Sequence, residues 1–351
     1  MIEISQKQQK ILSILLKKGS AQSSEIYAEI KKAGERISLV TVKRALSEMA
    51  DEGLVTATGA GRSTRYEVAT IGRICADVPA KEYCAIEPDK RYGLSRYNFD
   101  LFSALPADVF TDDELQTLHE ATGEYKRRTT DVPEAIQKKE LDRLVIELSW
   151  KSSRIEGNTY TLLDTEKLIL ENKEAPGHDK QEARMILNHK DAFNFVHENA
   201  AQFKELTRRN LEKIHEILVH DLNVNLGFRK KAVGVTGSKY QPLDTIYQIM
   251  EAVEALSRAV SRMTTPYGKA LIALLGTSYI QPFEDGNKRT SRLMADAILL
   301  AHSCAPLSYR SVDEEEYREA MLVFYELNSI VPFKKIFIGQ YDFAARNYMV
   351  K

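Results

Sequence analysis

Cysteine is scarce. Cys75, Cys84 and Cys304 are the only three in 351 residues, too few and too scattered for a disulfide framework or a clustered zinc site. No apolar run approaches membrane-spanning length, so no membrane partner is expected. A dominant charge is missing as well: charged residues make up 28% and the formal net charge is -1. No global field therefore draws the chain to nucleic acid or lipid, and any such partner has to meet a local patch. The opening residues Met1-Ile2-Glu3-Ile4-Ser5-Gln6-Lys7 lack a basic stretch followed by an apolar one. No signal peptide is expected, and a reducing, cytoplasmic location is the plain reading. Repeats and low-complexity tracts are also lacking. The histidines show no metal-ligand spacing with acidic partners, and His189, His197, His215 and His220 read as surface or core residues of helices.

At this length the chain should hold more than one core. Residues 1–70 read as a small module. Ile11, Leu12, Ile14, Leu15 and Leu16 form a helical apolar stripe that Gly19 stops. A second helix fits Ser23 to Lys32, ended by Gly34. Ser38 caps a third that runs to Glu52, with Val42, Leu46 and Met49 on one face. Residues 54–58 and 64–68 then bracket the turn Gly59-Ala60-Gly61-Arg62 as a basic-tipped hairpin. Three helices followed by such a hairpin resemble a winged helix. In that fold Thr41, Lys43 and Arg44 would face the major groove, while Arg62 and Arg65 on the wing would meet phosphates. With 11 Lys and Arg against 8 Asp and Glu, the module is only mildly basic. A DNA-binding role and a protein-interaction role both stay open.

Residues 71–110 carry Pro79, Pro88, Gly93 and Pro106 without a clean helical period. They read as a connector that docks in part on the next domain, with Tyr92, Tyr97 and Phe99 as packing residues. From the capping-box opening Thr111-Asp112-Asp113-Glu114, residues 111–351 read as one helical domain. Helices are predicted over 134–155, 179–198, 207–220, 245–262, 267–279, 288–303, 313–328 and 332–348.

The densest chemistry lies in Gln281-Pro282-Phe283-Glu284-Asp285-Gly286-Asn287-Lys288-Arg289-Thr290-Ser291-Arg292. An apolar rod precedes it, with Leu271, Ile272, Leu274 and Leu275 expected in the core, and the next helix opens near Asn287. Backbone N–H groups of Gly286, Asn287 and Lys288 would then stand at a positive helix terminus, where a phosphate is well placed. Gly286 leaves room for close approach to the backbone. Arg289 and Arg292, three apart, share a helical face and can grip one polyphosphate. Asp285 is a hard oxygen ligand suited to a Mg²⁺ that bridges phosphate oxygens. Taken singly, Asp-Gly-Asn marks a turn and paired arginines form a solvated face; the fixed offsets together carry the reading.

This stretch resembles the signature of the Fic family, enzymes that typically move AMP from ATP onto a protein hydroxyl. The resemblance covers about residues 111–345. It implies a mainly α chain: an all-α Fic domain (111–351, inhibitory helix included) with a small β-hairpin flap, preceded by the winged-helix module and the connector. By the same resemblance Asp285 holds Mg²⁺, the region of Gly286, Asn287 and Lys288 cradles the ATP phosphates, and Arg289 and Arg292 neutralise their far end. Phe283 packs inward to fix the loop. Val233-Gly234-Val235-Thr236-Gly237, within the segment from Lys231 to Pro242, fits the family's flap, which holds the target peptide by strand addition. Ser152-Ser153-Arg154-Ile155-Glu156-Gly157 matches the autoinhibitory pattern Ser/Thr-x-x-x-Glu-Gly/Asn. Its glutamate is expected to pair with Arg292 and block the seat of the γ-phosphate, in the class whose inhibitory helix lies ahead of the motif.

Two positions depart from the family pattern. Gln281 stands where the family has its catalytic histidine, and an amide is a poor base. Losing general-base catalysis removes roughly 10²–10⁴-fold in rate, so slow transfer with ATP binding retained is expected. Whether Gln281 is natural or an engineered change stays open. Lys288 stands where many members have a second glycine. Doc-like toxins, which transfer the γ-phosphoryl group, lack the glycine that this chain keeps as Gly286, so AMP transfer is expected and phosphoryl transfer is the lesser alternative. A further alternative is a non-catalytic, ATP-sensing regulator of DNA or partner binding. The target is expected to be a protein Ser, Thr or Tyr hydroxyl, self-modification included, and a homodimer is the default assembly.

Overall fold

The computed structural model describes residues 3–34 and 37–348. They fall into two units. The first runs to Pro106 and takes in Gly234–Gln241 and Glu319–Lys334; the second comprises Ala107–Val233, Pro242–Arg318 and the residues from Lys335.

In the first unit, Ser5 opens α1 (Gln6–Lys18) with a capping box to Gln8, and Gly19 closes it at φ 73°. There follow β1 (Ser20–Gln22), α2 (Ser23–Lys32), α3 (Leu39–Asp51), β2 (Val55–Thr58) and β3 (Arg65–Val68). Ser38 caps α3 by accepting from the Thr41 N–H. The three strands form one antiparallel sheet in the order β1-β3-β2, with Ser20 opposite Glu67 and Val55 opposite Val68. The helices and the wing appear where the sequence placed them. The three-residue β1 was not predicted, being too short to show a period of two. The connector, expected without helices, holds the short α4 (Thr70–Cys75), α5 (Ala80–Cys84) and α6 (Leu101–Ala104).

Ile11, Leu15, Ile26, Leu46 and Met49 make a buried core that also includes Tyr83, Val323 and Leu327. At its margin the fully buried Glu326 accepts hydrogen bonds from Tyr83 (2.6 Å), Ser238 (2.7 Å) and Arg91 (3.3 Å). The N–H of Leu94 donates to its carbonyl at 2.6 Å. Gly93 is required here, because a Cβ on it would lie 2.4 Å from that same oxygen.

Residues 234–241 correct one expectation. The flap forms a turn, closed by the Ser238 N–H to the Val235 carbonyl at 3.1 Å, and no strand ladder. Its polar groups bond elsewhere: Gly237 O accepts from Arg91 at 2.9 Å, Lys239 donates to the Arg91 carbonyl, and the Gln241 N–H donates to Ser95 O at 2.9 Å. With Tyr240 buried against Tyr325, side chains and the connector take the place of a cross-strand partner.

The second unit is helical. It begins with α7 (Asp112–Thr129), opened by the Thr111–Glu114 capping box, and α8 (Glu134–Ile155). Then come α9 (Leu162–Glu171), α10 (Lys180–Glu198), α11 (Arg208–Leu218), α12 (Ile246–Arg262), α13 (Pro266–Ile280) and α14 (Asn287–Ala301). Of α15 (Glu314–Leu327) the residues through Arg318 belong to this unit, and of α16 (Val331–Asn347) those from Lys335. The sequence reading lacked α9.

Helix α13 is apolar all round and buried from Tyr267 onward except at Lys269, as a central rod must be. Fully burying a side chain such as Leu271 or Leu274 is worth roughly 1.5–3 kcal/mol. On one side α12 closes on it where Gly276 leaves room; a Cβ there would lie 2.3 Å from Leu256. On another lies α14, which α8, α10 and α11 also touch. No described helix is long and apolar enough to cross a membrane.

Candidate functional site

The loop between α13 and α14 is shaped by its own side chains. Gln281 ends α13 in the left-handed conformation (φ 51°, ψ 59°), and its side-chain amide donates back to Ser278 O at 2.7 Å. Asn287 accepts from the Phe283 N–H at 2.8 Å and donates to the Phe283 carbonyl at 2.9 Å, locking residues 283–287 into one turn. The Phe283 ring is fully buried and stacks on His215, centroids 3.8 Å apart and planes 3° apart. The other end of that imidazole, Nε2, lies 3.0 Å from Asp285 O, so the neutral ring donates there. Burial, helped by the nearby charge of Arg289, pushes the His215 pKa down to about 4.

This loop delivers Gly286 as the N-cap of α14 at φ 78°, a conformation natural to glycine, with Val219 3.2 Å from where a Cβ would stand. The first turn of α14 therefore opens at the loop with N–H groups that have no partner within the helix. The Asp285 carboxylate stays 70% exposed, touching Arg289 at 3.4 Å. Arg289 itself is buried, and its Nη1 has no hydrogen-bond partner. Burial lowers its pKa, opposed by Asp285 and Glu156, and a guanidinium stays charged throughout.

Arg292 has no exposed surface. It donates to Ser152 Oγ and to Ser152 O, each at 2.9 Å, approaches Glu156 Oε1 at 2.8 Å and reaches Tyr317 Oη at 3.4 Å. Glu156 Oε2 lies 3.4 Å from Lys288. Burial alone would raise the Glu156 carboxyl, but the charges of Arg292 and Lys288 outweigh it and hold the group below the usual carboxylate range. Gly157, at φ 98°, ends α8 just beyond this glutamate.

The structure thus brings Ser152, Glu156, Asp285, Gly286, Lys288, Arg289 and Arg292 together around the start of α14. Asn287, whose side chain is spent on the Phe283 backbone, and Phe283, buried under His215, shape the loop. In the flap, Val235 is buried, Val233 half-buried, and Gly234, Thr236 and Gly237 are exposed. Among the residues expected to meet DNA, Lys43, Arg44 and Arg62 are exposed, although Arg44 also pairs with Glu48 at 2.9 Å. Thr41 is turned to the Ser38 cap. Arg65 is half-buried and partly engaged within the module. It donates to Ser20 Oγ at 3.0 Å and Ser20 O at 2.8 Å, tying β1 to β3.

Sequence reasoning missed three features. His215 was read as an ordinary core or surface histidine, and nothing in its neighbourhood announced the stack on Phe283. Arg229 was passed over entirely. The third is a clamp on α8: Lys151 and Arg154 each meet Glu314 at 2.9 Å, and Arg318 donates to the Ile155 carbonyl at 2.8 and 3.2 Å.

A family model described as Fic/DOC family matches residues 205–299, which hold the loop, α14 and the helices beneath them. The chain carries a Fic domain. A second model, the Ferric uptake regulator family, matches residues 2–101, over the winged-helix module and connector. Among described residues no group of three or more His, Cys, Asp or Glu stands ready to hold a metal. A protein adenylyltransferase Fic from Nematostella vectensis is 29% identical over 174 residues, 48% of this chain and 41% of its own. One from Drosophila grimshawi is 27% identical over 208 residues, 58% of this chain and 41% of its own. The chain thus spans about two fifths of the length of these relatives. Two solved structures share the Fic fold. Fic-1 from C. elegans (residues 134–508) superposes with a TM-score of 0.58 at 17% identity over 68% of this chain and 72% of its own. A Fic family protein from Desulfovibrio desulfuricans G20 gives 0.57 at 23% over 69% and 75%.

Proposed function

We propose that this chain is a protein adenylyltransferase scaffold, held off by Glu156 and impaired at Gln281. The observation that carries the reading is the ion pair between Glu156 and the fully buried Arg292, set beside the phosphate-shaped start of α14. A buried guanidinium next to an exposed carboxylate and open helix N–H groups suits a polyphosphate. Glu156 sits on that guanidinium as a stand-in anion, so the terminal phosphate of ATP would compete with it.

The donor set also fits Mg²⁺. One exposed carboxylate, Asp285, would hold the ion together with substrate phosphates, the mode this cation prefers over an all-protein cage. When bound, the metal supplies charge neutralisation at the phosphates. The chain's own part is to hold the α-phosphorus before a target hydroxyl. The hydroxyl oxygen forms the new P–O bond, pyrophosphate leaves, and the hydroxyl proton must pass to a base. Gln281 offers no such base near neutral pH. The target is a protein hydroxyl, with this chain as its own acceptor included. The relatives named protein adenylyltransferases support a protein as the acceptor.

The test is labelling of the Glu156→Gly/Gln281→His chain with ATP carrying label at either the α- or the γ-phosphate. Label from the α position alone is expected. Label from the γ position alone would assign phosphoryl transfer instead.

A further inference from the structure

Arg229 is 1% exposed and spends its guanidinium on the backbone. Its Nε donates to Gln281 O at 2.6 Å, Nη1 to Lys231 O at 2.8 Å and Nη2 to Leu243 O at 2.6 Å, while its own N–H donates to Pro282 O at 2.9 Å. Three carbonyls from three separate stretches of chain thus meet one planar fork. Two of them, Lys231 and Leu243, are the points where the flap segment departs and returns. The third belongs to the residue at the position of the expected base.

We propose that Arg229 is a positioning residue that ties the two ends of the flap segment, at Lys231 and Leu243, to the residue-281 backbone and so aims side chain 281 at the reacting position. The inference rests on the adenylyl-transfer reading for its functional consequence and on the hydrogen bonds alone for its structural one. Two features give it physical force. Gln281 lies past the end of α13 in a left-handed conformation that L side chains rarely adopt, and its carbonyl has no helical partner. The Arg229 Nε supplies that partner and so holds the backbone that aims side chain 281. The segment from Lys231 to Leu243, moreover, has no strand ladder to define its neck. A rigid guanidinium with several donors in one plane defines it instead, and a lysine ammonium lacks that geometry.

The test compares Arg229→Lys, and Arg229→Gln as a second variant, with the parent in two ways. In the Glu156→Gly/Gln281→His background, self-labelling from α-labelled ATP is followed against ATP concentration. Positioning predicts a maximal rate down about tenfold or more with half-saturating ATP within about twofold, the pattern of an interaction lost in the reaction rather than in binding. In the otherwise unaltered chain, hydrogen exchange at the amides of residues 231–233 and 243–244 should quicken while α13 stays protected. Unchanged exchange at the neck overturns the proposal, as does protection lost throughout α13, which would mark a merely structural arginine. If the background chain does not label at all, adenylyl transfer fails as a reading, and neck exchange alone still decides the role of Arg229.

Discussion

Glu156 Oε1 lies 2.8 Å from a guanidinium nitrogen of Arg292, and no part of the Arg292 side chain reaches solvent. A buried cation in that position is matched here by Glu156, and on the proposed reading an incoming phosphate would compete with it for the same place. Glu156→Gly should therefore tighten binding of a fluorescent ATP analogue by about tenfold or more, while the empty protein loses on the order of 1–3 kcal/mol of stability from the unmatched charge. Equal affinity in the two proteins would separate Glu156 from the nucleotide seat.

The pairing has a definite pH window. The folded-state pKa of Glu156 is depressed, after Arg292 and Lys288 overcome the opposing effect of burial. Its contribution is present above the unfolded value of about 4.3 and is lost as pH falls through the lower folded value. The ratio of nucleotide affinities between the unaltered chain and Glu156→Gly should accordingly stay flat from about pH 5 to pH 8. A ratio that collapsed between pH 8 and pH 6 would assign the restraint to a different titrating group.

Helix α8 is also held from outside, by Glu314 against Lys151 and Arg154 and by Arg318 on the Ile155 carbonyl. The Glu314 pairs are partly exposed and worth about 0.2–1 kcal/mol; the Arg318 bonds are worth about 1–3 kcal/mol. Arg318→Ala should thus release α8 more than Glu314→Ala does, and both less than Glu156→Gly. Self-labelling rates of each variant combined with Gln281→His report this order. No gain from Arg318→Ala would show that the clamp does not set the position of α8.

On the winged helix, Lys43 and Arg62 are exposed whereas Arg65 is committed to Ser20. Lys43→Ala and Arg62→Ala should each weaken duplex DNA binding and lower its salt slope by about 1, the signature of one lost phosphate contact. Arg65→Ala should instead lower the melting temperature. Absence of duplex affinity even at low salt would leave the module as a protein-interaction domain.

Much of this arrangement was legible in the sequence because it is local. Ser38, Thr111 and Gly19 punctuate helices by hydrogen bonds within a few residues, and the motif from Gln281 to Arg292 is read along one loop and helix. The Glu156–Arg292 contact, 136 positions apart, was expected only through the family resemblance. Arg229 escaped because its partners are backbone carbonyls, which no side-chain pattern encodes, and His215 because its stacking partner Phe283 is remote in sequence. The Arg65 contact with Ser20 was hidden in a similar way: in sequence a basic wing residue looks alike whether or not it bonds a neighbouring strand. The flap was expected as a β-hairpin only through the family resemblance, yet the Arg91 and Tyr240 contacts fixed it as a turn.

The most direct test of the account is intact-mass analysis after incubation with Mg²⁺ and ATP, across four chains: unaltered, Glu156→Gly, Gln281→His and the double variant. The increment of one or more AMP groups is expected in the double variant, little in Gln281→His alone, and at most a trace in the two chains that keep Gln281. AMP addition in the Glu156→Gly chain equal to that in the double variant would contradict it, since residue 281 would then have no part in the reaction.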